Sequence, residues 1–347
     1  MRDEKSALTF HPSSLIIFLE RTMMSTALSI KTETFFTIEM PYREQMEIRR
    51  TIFTGRDGPR VAVVAGVHGD ELEGLYVCYR LAAWLEELHR TSPGKLLGSI
   101  ELYPAINTLG LDTLTRGLPV FDTDLNRAFP GSSGGPLPAR LASALMTALS
   151  GSSLVVDIHA SNVYLREIPQ VRINQDFVEL LVPIARRMNL DLIWLHAAAT
   201  VLETTVAHSL NSNGTPCLVV EMGVGMRITP EYCDQLVAGI LTVWQDMGVL
   251  APDVSVPLTS HTPLIADDSN VHYLNAQTSG MFIPTAAHWT DVRRGELLGT
   301  IVSPFRGDTL SEVRSPVDGI LFTLREYPLV YEGSLMARVM ARKGGPA

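Results

Sequence analysis

The sequence predicts an α/β sandwich around a mostly parallel or mixed β-sheet, followed by a smaller all-β domain. Two observations lead to this fold class. Between residues 47 and 250, short apolar runs typical of buried strands alternate with segments of helical periodicity. After Ala251-Pro252, short β-prone segments are separated by turns that contain glycine. We therefore expect an α/β domain at residues 25–250 and an all-β domain at residues 251–347.

The first half of the α/β domain has clear strand and helix patterns. Residues 45–53 alternate loosely as a strand, and residues 60–66 (RVAVVAG) are almost continuously apolar, as expected of a central parallel strand. Residues 71–90 have helical spacing, and residues 99–106 form the next predicted strand. Residues 107–138 show little periodicity. Loops of this length are usually functional or disordered.

The alternation resumes after this loop and continues to the domain boundary. We predict helices over 137–149, 176–187, 202–212 and 230–244, and strands over 153–158, 190–195 and 217–221. In the all-β domain, the predicted turns contain Gly280, Gly295, Gly307, Gly319 and Gly333.

The basic residues exclude several classes of function. Of the 28 Lys and Arg residues only four are lysines, at positions 5, 31, 95 and 343. A P-loop, a Schiff-base lysine or a biotinyl or lipoyl acceptor lysine therefore cannot lie between residues 96 and 342. A formal net charge of −9 argues against nucleic acid as a partner. The apolar runs are only a few residues long, so we expect no membrane span.

The N-terminus and the cysteines bear on localisation. Residues 1–24 are predicted to be disordered or to reflect a start assigned too early. Asp3 and Glu4 precede an apolar patch at 15–19 that is too short for an export signal. The three cysteines show no CxxC spacing and are interpreted as reduced thiols, so we expect a cytoplasmic protein.

Three apolar strands each end at a residue that could bind a metal or act as a base. In VAVVAGVHGDELEG, His68 lies in the turn and Glu71 begins the following helix. The segment LVVDIHAS carries His159 at its strand end, and CLVVEMG carries Glu221. Ligand sites in open α/β sheets lie outside the carboxyl ends of strands, so these side chains are expected to converge.

Their chemistry indicates a catalytic zinc. Two histidines and one carboxylate are a usual three-ligand set that leaves a fourth position for water. The remaining carboxylate, Glu221, would then be the general base that deprotonates the zinc-bound water. A lone His-x-x-Glu is common by chance, so the prediction rests on the conjunction of the three strand ends. Asp157, two residues before His159, either orients that ligand or is a satisfied polar core residue.

The long loop supplies candidate substrate-binding residues in the segment TRGLPVFDTDLNRAFPG and at Asn107. Asn126 and Arg127 could clamp a carboxylate, because guanidinium offers a bidentate fork and an amide adds a donor. Arg116 could stabilise the oxyanion of a tetrahedral intermediate. The alternative is a loop held by Arg–Asp pairs, with Asp112, Asp122 and Asp124 as partners.

The ordered motifs HGDE, DTDLNRAFPG, DIHAS and VEMG resemble the succinylglutamate desuccinylase/aspartoacylase family, part of the wider zinc carboxypeptidase-like group. The resemblance covers roughly residues 45–340. It implies a zinc carboxypeptidase-like α/β/α sandwich with one zinc and hydrolysis of the N-acyl amide of a small N-acylated amino acid. It assigns zinc ligation to His68, Glu71 and His159, base catalysis to Glu221, oxyanion stabilisation to Arg116, and carboxylate binding to Asn126 and Arg127. Thr108 departs from the proline often found after the asparagine, which weakens a role for Asn107.

Residues 291–339 are similar to biotinyl/lipoyl-type barrels, but no lysine in this range could be acylated. We interpret it as a barrel-like domain that narrows the zinc cleft or supports an oligomer interface, and we expect a homo-oligomer. Arg166 and Arg172 follow the strand ending at His159, and either could face the pocket. Five other histidines are interpreted as surface or satisfied polar residues: His196, His208, His261, His272 and His288.

Two alternatives to an N-acyl amino acid deacylase remain open at this point. A metallocarboxypeptidase acting on short peptides would use the same metal ligands and base. A barrel that occludes the cleft argues against it. A non-catalytic metal-binding or ligand-binding protein is the other alternative, and the complete set of ligands and base argues against that.

Overall fold

A mixed β-sheet of 13 strands organises the part of the chain described in the computed structural model, which covers residues 29–42, 44–197 and 203–342. The prediction for residues 1–24 lies outside these residues. The strands of the α/β part are β1 (Ser29–Ile38), β2 (Met46–Thr54), β3 (Arg60–Ala65), β4 (Ser99–Tyr103), β5 (Leu154–Ala160), β6 (Leu165–Asn174), β7 (Leu192–His196) and β8 (Cys217–Gly223). The helices are α1 (Glu73–Thr91), α2 (Thr108–Thr113), α3 (Leu137–Leu149), α4 (Val178–Ala185), α5 (Val206–Ser212) and α6 (Pro230–Asp246).

The centre of this sheet is parallel. Strand β3 pairs in parallel with β4 and β5, and β5 pairs in parallel with β8. Antiparallel neighbours flank this centre: β1 and β2 on one side, and β6 on the other. All seven residues of β5 are buried, as are five of the six residues of β3. Burial on both faces explains why these strands are nearly continuous apolar runs in the sequence.

Helices cover both faces of the sheet because successive strand residues point in opposite directions. Val61 and Val63 of β3 belong to the apolar core under α1 and α6. Ala62 and Val64 belong to a second core on the opposite face, under α3 and α5. The architecture is therefore the predicted α/β/α sandwich with a mixed sheet.

The C-terminal strands are β9 (Leu264–Asp267), β10 (Val271–Asn275), β11 (Gly280–Pro284), β12 (Thr290–Val292), β13 (Leu297–Val302), β14 (Thr309–Arg314), β15 (Gly319–Arg325), β16 (Leu329–Val330) and β17 (Leu335–Ala341). Four of them, β11, β13, β14 and β16, form a separate antiparallel sheet over its own apolar core. At the predicted turns, Gly295, Gly307 and Gly333 adopt positive φ angles of 82°, 73° and 82°. This confirms the predicted C-terminal β domain.

Other C-terminal strands continue the large sheet. Strand β15 pairs with the first residues of β6, and β9 pairs with β7. The α/β part and the C-terminal strands therefore share one sheet, and the predicted boundary near residue 250 stays a prediction. Among the described residues, no helix has the length and apolar character of a membrane span.

Three elements were not predicted: β1, β6 and the short helix α2 inside the long loop. Strand β6 was not predicted because Glu167 and Gln170 interrupt its apolar pattern. Both residues are nevertheless buried, with 1% and 0% exposure. Helix α2 is only six residues long, too short for a periodicity to show.

Candidate active site

The carboxyl ends of the parallel strands bring the predicted residues to one edge of the sheet. In the pairing of β5 with β8, His159 lies directly opposite Glu221, and Ala65 at the end of β3 lies opposite Ile158. The turn after β3 carries His68. Gly69 in that turn has no space for a side chain, since an added Cβ would overlap the backbone of Gly110. The register of three strands and this tight turn therefore determine where the site lies.

Three side chains converge at this edge: His68, Glu71 and His159. Nδ1 of His68 lies 2.8 Å from Oε1 of Glu71, and Nδ1 of His159 lies 2.9 Å from Oε2 of the same carboxylate. The two Nδ1 atoms are 3.2 Å apart. All three residues are buried, with 2% to 3% exposure. Their donor atoms lie within 4.8 Å of one another, so the cluster could hold a metal ion.

Each histidine is oriented by a second carboxylate. Nε2 of His68 lies 2.9 Å from Oδ1 of Asp124, and Nε2 of His159 lies 3.0 Å from Oδ2 of Asp157. A proton held on Nε2 leaves the Nδ1 lone pair directed at the centre of the cluster, as in carboxylate–histidine–metal arrangements. Of the two interpretations of Asp157, this contact is the one expected of a carboxylate that orients His159.

The charges also suit a bound cation. Burial opposes ionisation of Glu71, but His68 and His159 hold its pKa far below the usual range. Burial likewise opposes ionisation of Asp124, yet His68 and Arg116 lower its pKa to about 2. Two imidazole nitrogens and an ionised carboxylate oxygen are a donor set that divalent transition metals accept.

Glu221 lies beside this cluster but is not one of its three converging donors. Burial raises its pKa, and Arg172 opposes the shift from a distance of 3.4 Å between Nη1 and Oε1. A carboxylate with a raised pKa accepts a proton more readily near neutral pH, which is the property of a general base.

The loop residues take different positions. Arg116 donates from Nη1 to Oε1 of Glu71 at 2.8 Å. Nδ2 of Asn126 lies 3.4 Å from Nε2 of His159, and Arg127 approaches Asp124 at 4.0 Å. Arg116, Asn126 and Arg127 all line the same cavity as His68 and His159. Arg116 and Arg127 therefore pair with acidic groups, as expected if Arg–Asp pairs hold the loop. They also face the cavity, as expected of substrate-binding residues.

Asn107 has a structural position. Its side chain caps α2 by accepting from the Gly110 amide at 2.9 Å, and it donates to the carbonyl of Gly117 at 3.0 Å. It also donates to the carbonyl of Arg116 at 3.3 Å. Asn107 therefore holds the loop that presents Arg116, and its amide is engaged with backbone.

The cavity has a volume of about 470 Å³ and is completed by residues that include Arg172, which the sequence indicated, and Arg338, which it did not. Arg338 of β17 and Arg172 of β6 both lie over Trp194, with 5.2 and 5.3 Å to the ring centroid. Both guanidinium groups also pair with Oε1 of the buried Glu167, at 2.6 and 3.3 Å. Strand β17 thereby contributes a wall of the cavity.

Several of the other candidate residues also lie at or near the cavity. Arg172 does line the cavity, whereas Arg166 pairs with Glu326 at 2.5 Å. His196 and His208, interpreted as surface or satisfied polar residues, also line the cavity. No local pattern marks Arg338, because a single arginine in an apolar strand resembles an ordinary surface position.

Comparisons with known proteins find related sequences. Residues 57–246, more than half of the chain, match the family model described as the succinylglutamate desuccinylase/aspartoacylase catalytic domain. The chain is 25% identical over 293 residues to the N-alpha-acetyl-L-2,4-diaminobutyric acid deacetylase of Halomonas elongata, covering 80% of each protein.

Solved structures share the fold. The product-bound ectoine utilization protein EutE (DoeB) from Ruegeria pomeroyi superposes with a TM-score of 0.76 at 19% identity, covering 92% of this chain and 100% of that chain. A succinylglutamate desuccinylase/aspartoacylase from Rhodobacter sphaeroides superposes with a TM-score of 0.72 at 25% identity, covering 87% and 91%.

Proposed function

Because the chain belongs to the succinylglutamate desuccinylase/aspartoacylase family, we propose that it is a zinc-dependent hydrolase of N-acyl amide bonds in small N-acylated amino acids or diamino acids. The relative in Halomonas elongata, named as a deacetylase of an acetylated diamino acid, supports this reaction type. The observation that carries the proposal is the cluster of His68, Glu71 and His159 beside Glu221 of β8. Both histidines and Glu221 line one cavity.

His68, Glu71 and His159 would hold the zinc. The buried carboxylate and the two oriented imidazoles provide the charge and the lone pairs that this ion requires. When bound, zinc supplies Lewis acidity toward the amide carbonyl and the attacking water.

The remaining residues move the proton and position the substrate. Glu221 accepts a proton from the attacking water and passes it to the leaving nitrogen, which departs as an amine. Arg116 stabilises negative charge on the carbonyl oxygen, since its partly exposed guanidinium lines the cavity. Asn126 and Arg127 bind the carboxylate of the amino acid.

The alternative is a metallocarboxypeptidase acting on short peptides. Strand β17 contributes Arg338 to the cavity wall, and Tyr273 of β10 lies against it, with 5.3 Å from the guanidinium to the ring centroid. A wall at this position restricts the cavity to a small substrate, which favours the N-acyl amino acid. A cytoplasmic location and a homo-oligomeric state remain predictions; the three cysteines are unpaired, which suits a reducing compartment.

A substrate panel tests the proposal. Purified enzyme loaded with zinc, and the same enzyme treated with a chelator, are assayed for release of free amine from N-acetyl and N-succinyl amino acids. N-acetylated diamino acids and blocked dipeptides complete the panel. We expect chelator-sensitive hydrolysis of at least one N-acyl amino acid. Hydrolysis of dipeptides alone would favour the carboxypeptidase, and full activity without metal would contradict the zinc assignment.

Glu221→Gln separates catalysis from metal binding. The amide keeps the size of the side chain but cannot accept the proton, so we expect kcat to fall by about 10³-fold or more. Zinc content, measured by elemental analysis, should stay at the wild-type level because Glu221 is not one of the three converging donors. Near-normal turnover in this variant would exclude Glu221 as the base.

A further inference from the structure

The cavity extends beyond Glu221, and we propose that this extension binds an uncharged, apolar chain of the substrate. We call it the apolar recess; its wall is formed by Phe177, Leu181, Ala207, Cys217 and Val219. The inference rests on the proposed amide hydrolysis and specifies which substituents the substrate carries. It predicts a preference for apolar chains longer than the methyl group of an acetyl.

The direction of the recess follows from strand β8. Side chains on a strand alternate between its two faces, so Glu221, Val219 and Cys217 share one face. At about 3.3 Å per residue, Cys217 lies about 13 Å along the strand from Glu221. All three residues line the same cavity. The recess therefore leads from the reacting centre along the sheet, and the whole cavity of about 470 Å³ has a size typical of pockets for drug-sized ligands.

Two asparagines that line the cavity near the recess are engaged with backbone groups. The side-chain amide of Asn211 donates to the carbonyl of Cys217 at 3.0 Å and accepts from the Cys217 amide at 2.8 Å. Oδ1 of Asn174 accepts from the backbone amide of Asp176 at 3.0 Å. The ring of His208 lies edge-on to Phe177, with 5.9 Å between the centroids.

The thiol of Cys217 is apolar as well. Burial raises its pKa well above the ordinary value, so the side chain stays a neutral thiol at physiological pH. A neutral buried cysteine behaves as a small hydrophobic residue.

Charged side chains line the cavity outside the five recess residues, and one of them, Asp268, follows β9, which is separated from β8 by β7 and β6. Arg116 and Arg127 lie near the metal cluster, and Arg172 pairs with Glu221 and Glu167. None of the five residues that form the recess wall is charged, so a charged substituent beside them would lose its hydration without an ionic partner among those five, which is unfavourable. An apolar chain would gain from the same burial. The substrate carboxylate is thus expected at the charged end and an apolar chain in the recess.

Two parts of a substrate could supply this chain: the acyl group or the side chain of the amino acid. Two series of compounds separate them. In the first, glycine carries acetyl, butanoyl, hexanoyl or octanoyl groups. In the second, the acetyl group is constant and the amino acid is alanine, 2-aminobutanoate, 2-aminohexanoate or 2-aminooctanoate. N-acetyl-2,4-diaminobutanoate serves as the charged counterpart of the second series.

We expect kcat/KM to rise about three- to fourfold per methylene in one of the two series until the recess is filled, as burial of a CH₂ group predicts. The series that shows the rise identifies the part of the substrate in the recess. The charged N-acetyl-2,4-diaminobutanoate should have a lower kcat/KM than the uncharged N-acetyl-2-aminohexanoate. Hydrolysis that is flat or declines with chain length in both series would overturn the inference while leaving the proposed function intact.

Variants that fill the recess provide a second test of the proposal. Ala207→Phe and Val219→Phe reduce its volume from two different walls and should abolish the chain-length dependence. Turnover of N-acetylglycine and N-acetylalanine, which are too short to reach the recess, serves as the internal measure of folding and catalysis and should persist. Ala83→Phe makes the same substitution at an exposed position of α1 and should leave the length dependence unchanged.

Binding tests the recess even if no compound is hydrolysed. Isothermal titration of Glu221→Gln with N-octanoylglycine, N-acetyl-2-aminooctanoate and N-acetylglycine gives their relative Kd values without turnover. At least a tenfold tighter Kd for one of the long compounds, lost when Ala207→Phe is added, would support the recess. Equal Kd values for the three compounds would refute it. Absence of any hydrolysis together with this binding preference would refute the proposed function alone.

Discussion

Replacement of Gly223 by alanine tests how the end of β8, which carries Glu221, is held in place. Gly223 has a φ of +69°, and a Cβ at this position would overlap Oε1 of Glu73 and lie 2.7 Å from its Cδ. Glu73 is fully buried, and its other oxygen accepts from the Thr229 amide at 2.9 Å and from the Cys233 thiol at 3.0 Å. The carboxyl group therefore cannot move aside without breaking these contacts.

Two effects add in Gly223→Ala. The left-handed conformation costs a non-glycine residue about 1–2 kcal/mol, partly offset by about 0.4–1 kcal/mol from the lower entropy of the unfolded chain. Forcing a methyl group against a fixed, buried side chain adds about 1–3 kcal/mol. We expect a total loss of about 2–4 kcal/mol in the free energy of unfolding. We also expect a fall in kcat, because the displaced strand end lies two residues from Glu221.

Gly248→Ala is the matched control for the backbone effect. Gly248 has a φ of +73°, and nothing lies within 4 Å of an added Cβ. Urea unfolding of both variants should place the midpoint of Gly223→Ala clearly below that of Gly248→Ala. Adding Glu73→Ala should make Gly223→Ala less costly than it is alone, since the overlap is then removed. If the two glycine variants lost the same free energy of unfolding, Glu73 would have to move aside at no cost, and the predicted overlap would be refuted.

Three further predictions concern the site and the thiols. Asp124→Asn and Asp157→Asn should each weaken metal affinity by about 10–100-fold, measured by chelator competition, because each removes the carboxylate that orients a histidine. Burial raises the pKa of Glu221 in the folded state, so the stability it contributes is present at low pH and lost as pH rises through that pKa. Metal-free Glu221→Gln should therefore have a higher Tm than wild type at pH 7, and the difference should shrink below about pH 4. A chromogenic disulfide reagent should titrate no thiol before unfolding, since burial raises the pKa of all three cysteines: Cys78 (to about 12), Cys217 and Cys233.

The sequence predicted the elements that are buried on both faces or strongly amphipathic. Strands β3 and β5 are recognisable because covering a parallel sheet with helices on both faces requires continuous apolar runs. Strand β6 could not be recognised in the same way. Its buried Glu167 is accommodated by four donors, from Gln170, Arg172, Thr323 and Arg338, and two of these lie more than 150 residues away.

Some residues of the candidate site could likewise be located from the sequence, and others could not. His68, Glu71, His159 and Glu221 could be located because strand ends in one sheet must meet at one edge, whatever the packing of the loops. The position of Asn107 could not, because an asparagine before a short helix suits a substrate contact and a helix cap equally well.

The sequence by itself determined the fold class, the family and the residues at the strand ends, since these depend on local periodicity and on motif order. The tertiary structure alone decided the shape of the cavity. Arg338 reaches it from β17, and two guanidinium groups lie over the ring of Trp194. The recess beside Val219 exists only because α4, α5 and β8 leave space between them. Such features arise from contacts between residues far apart in the chain, and no local pattern encodes the volume that those contacts leave open.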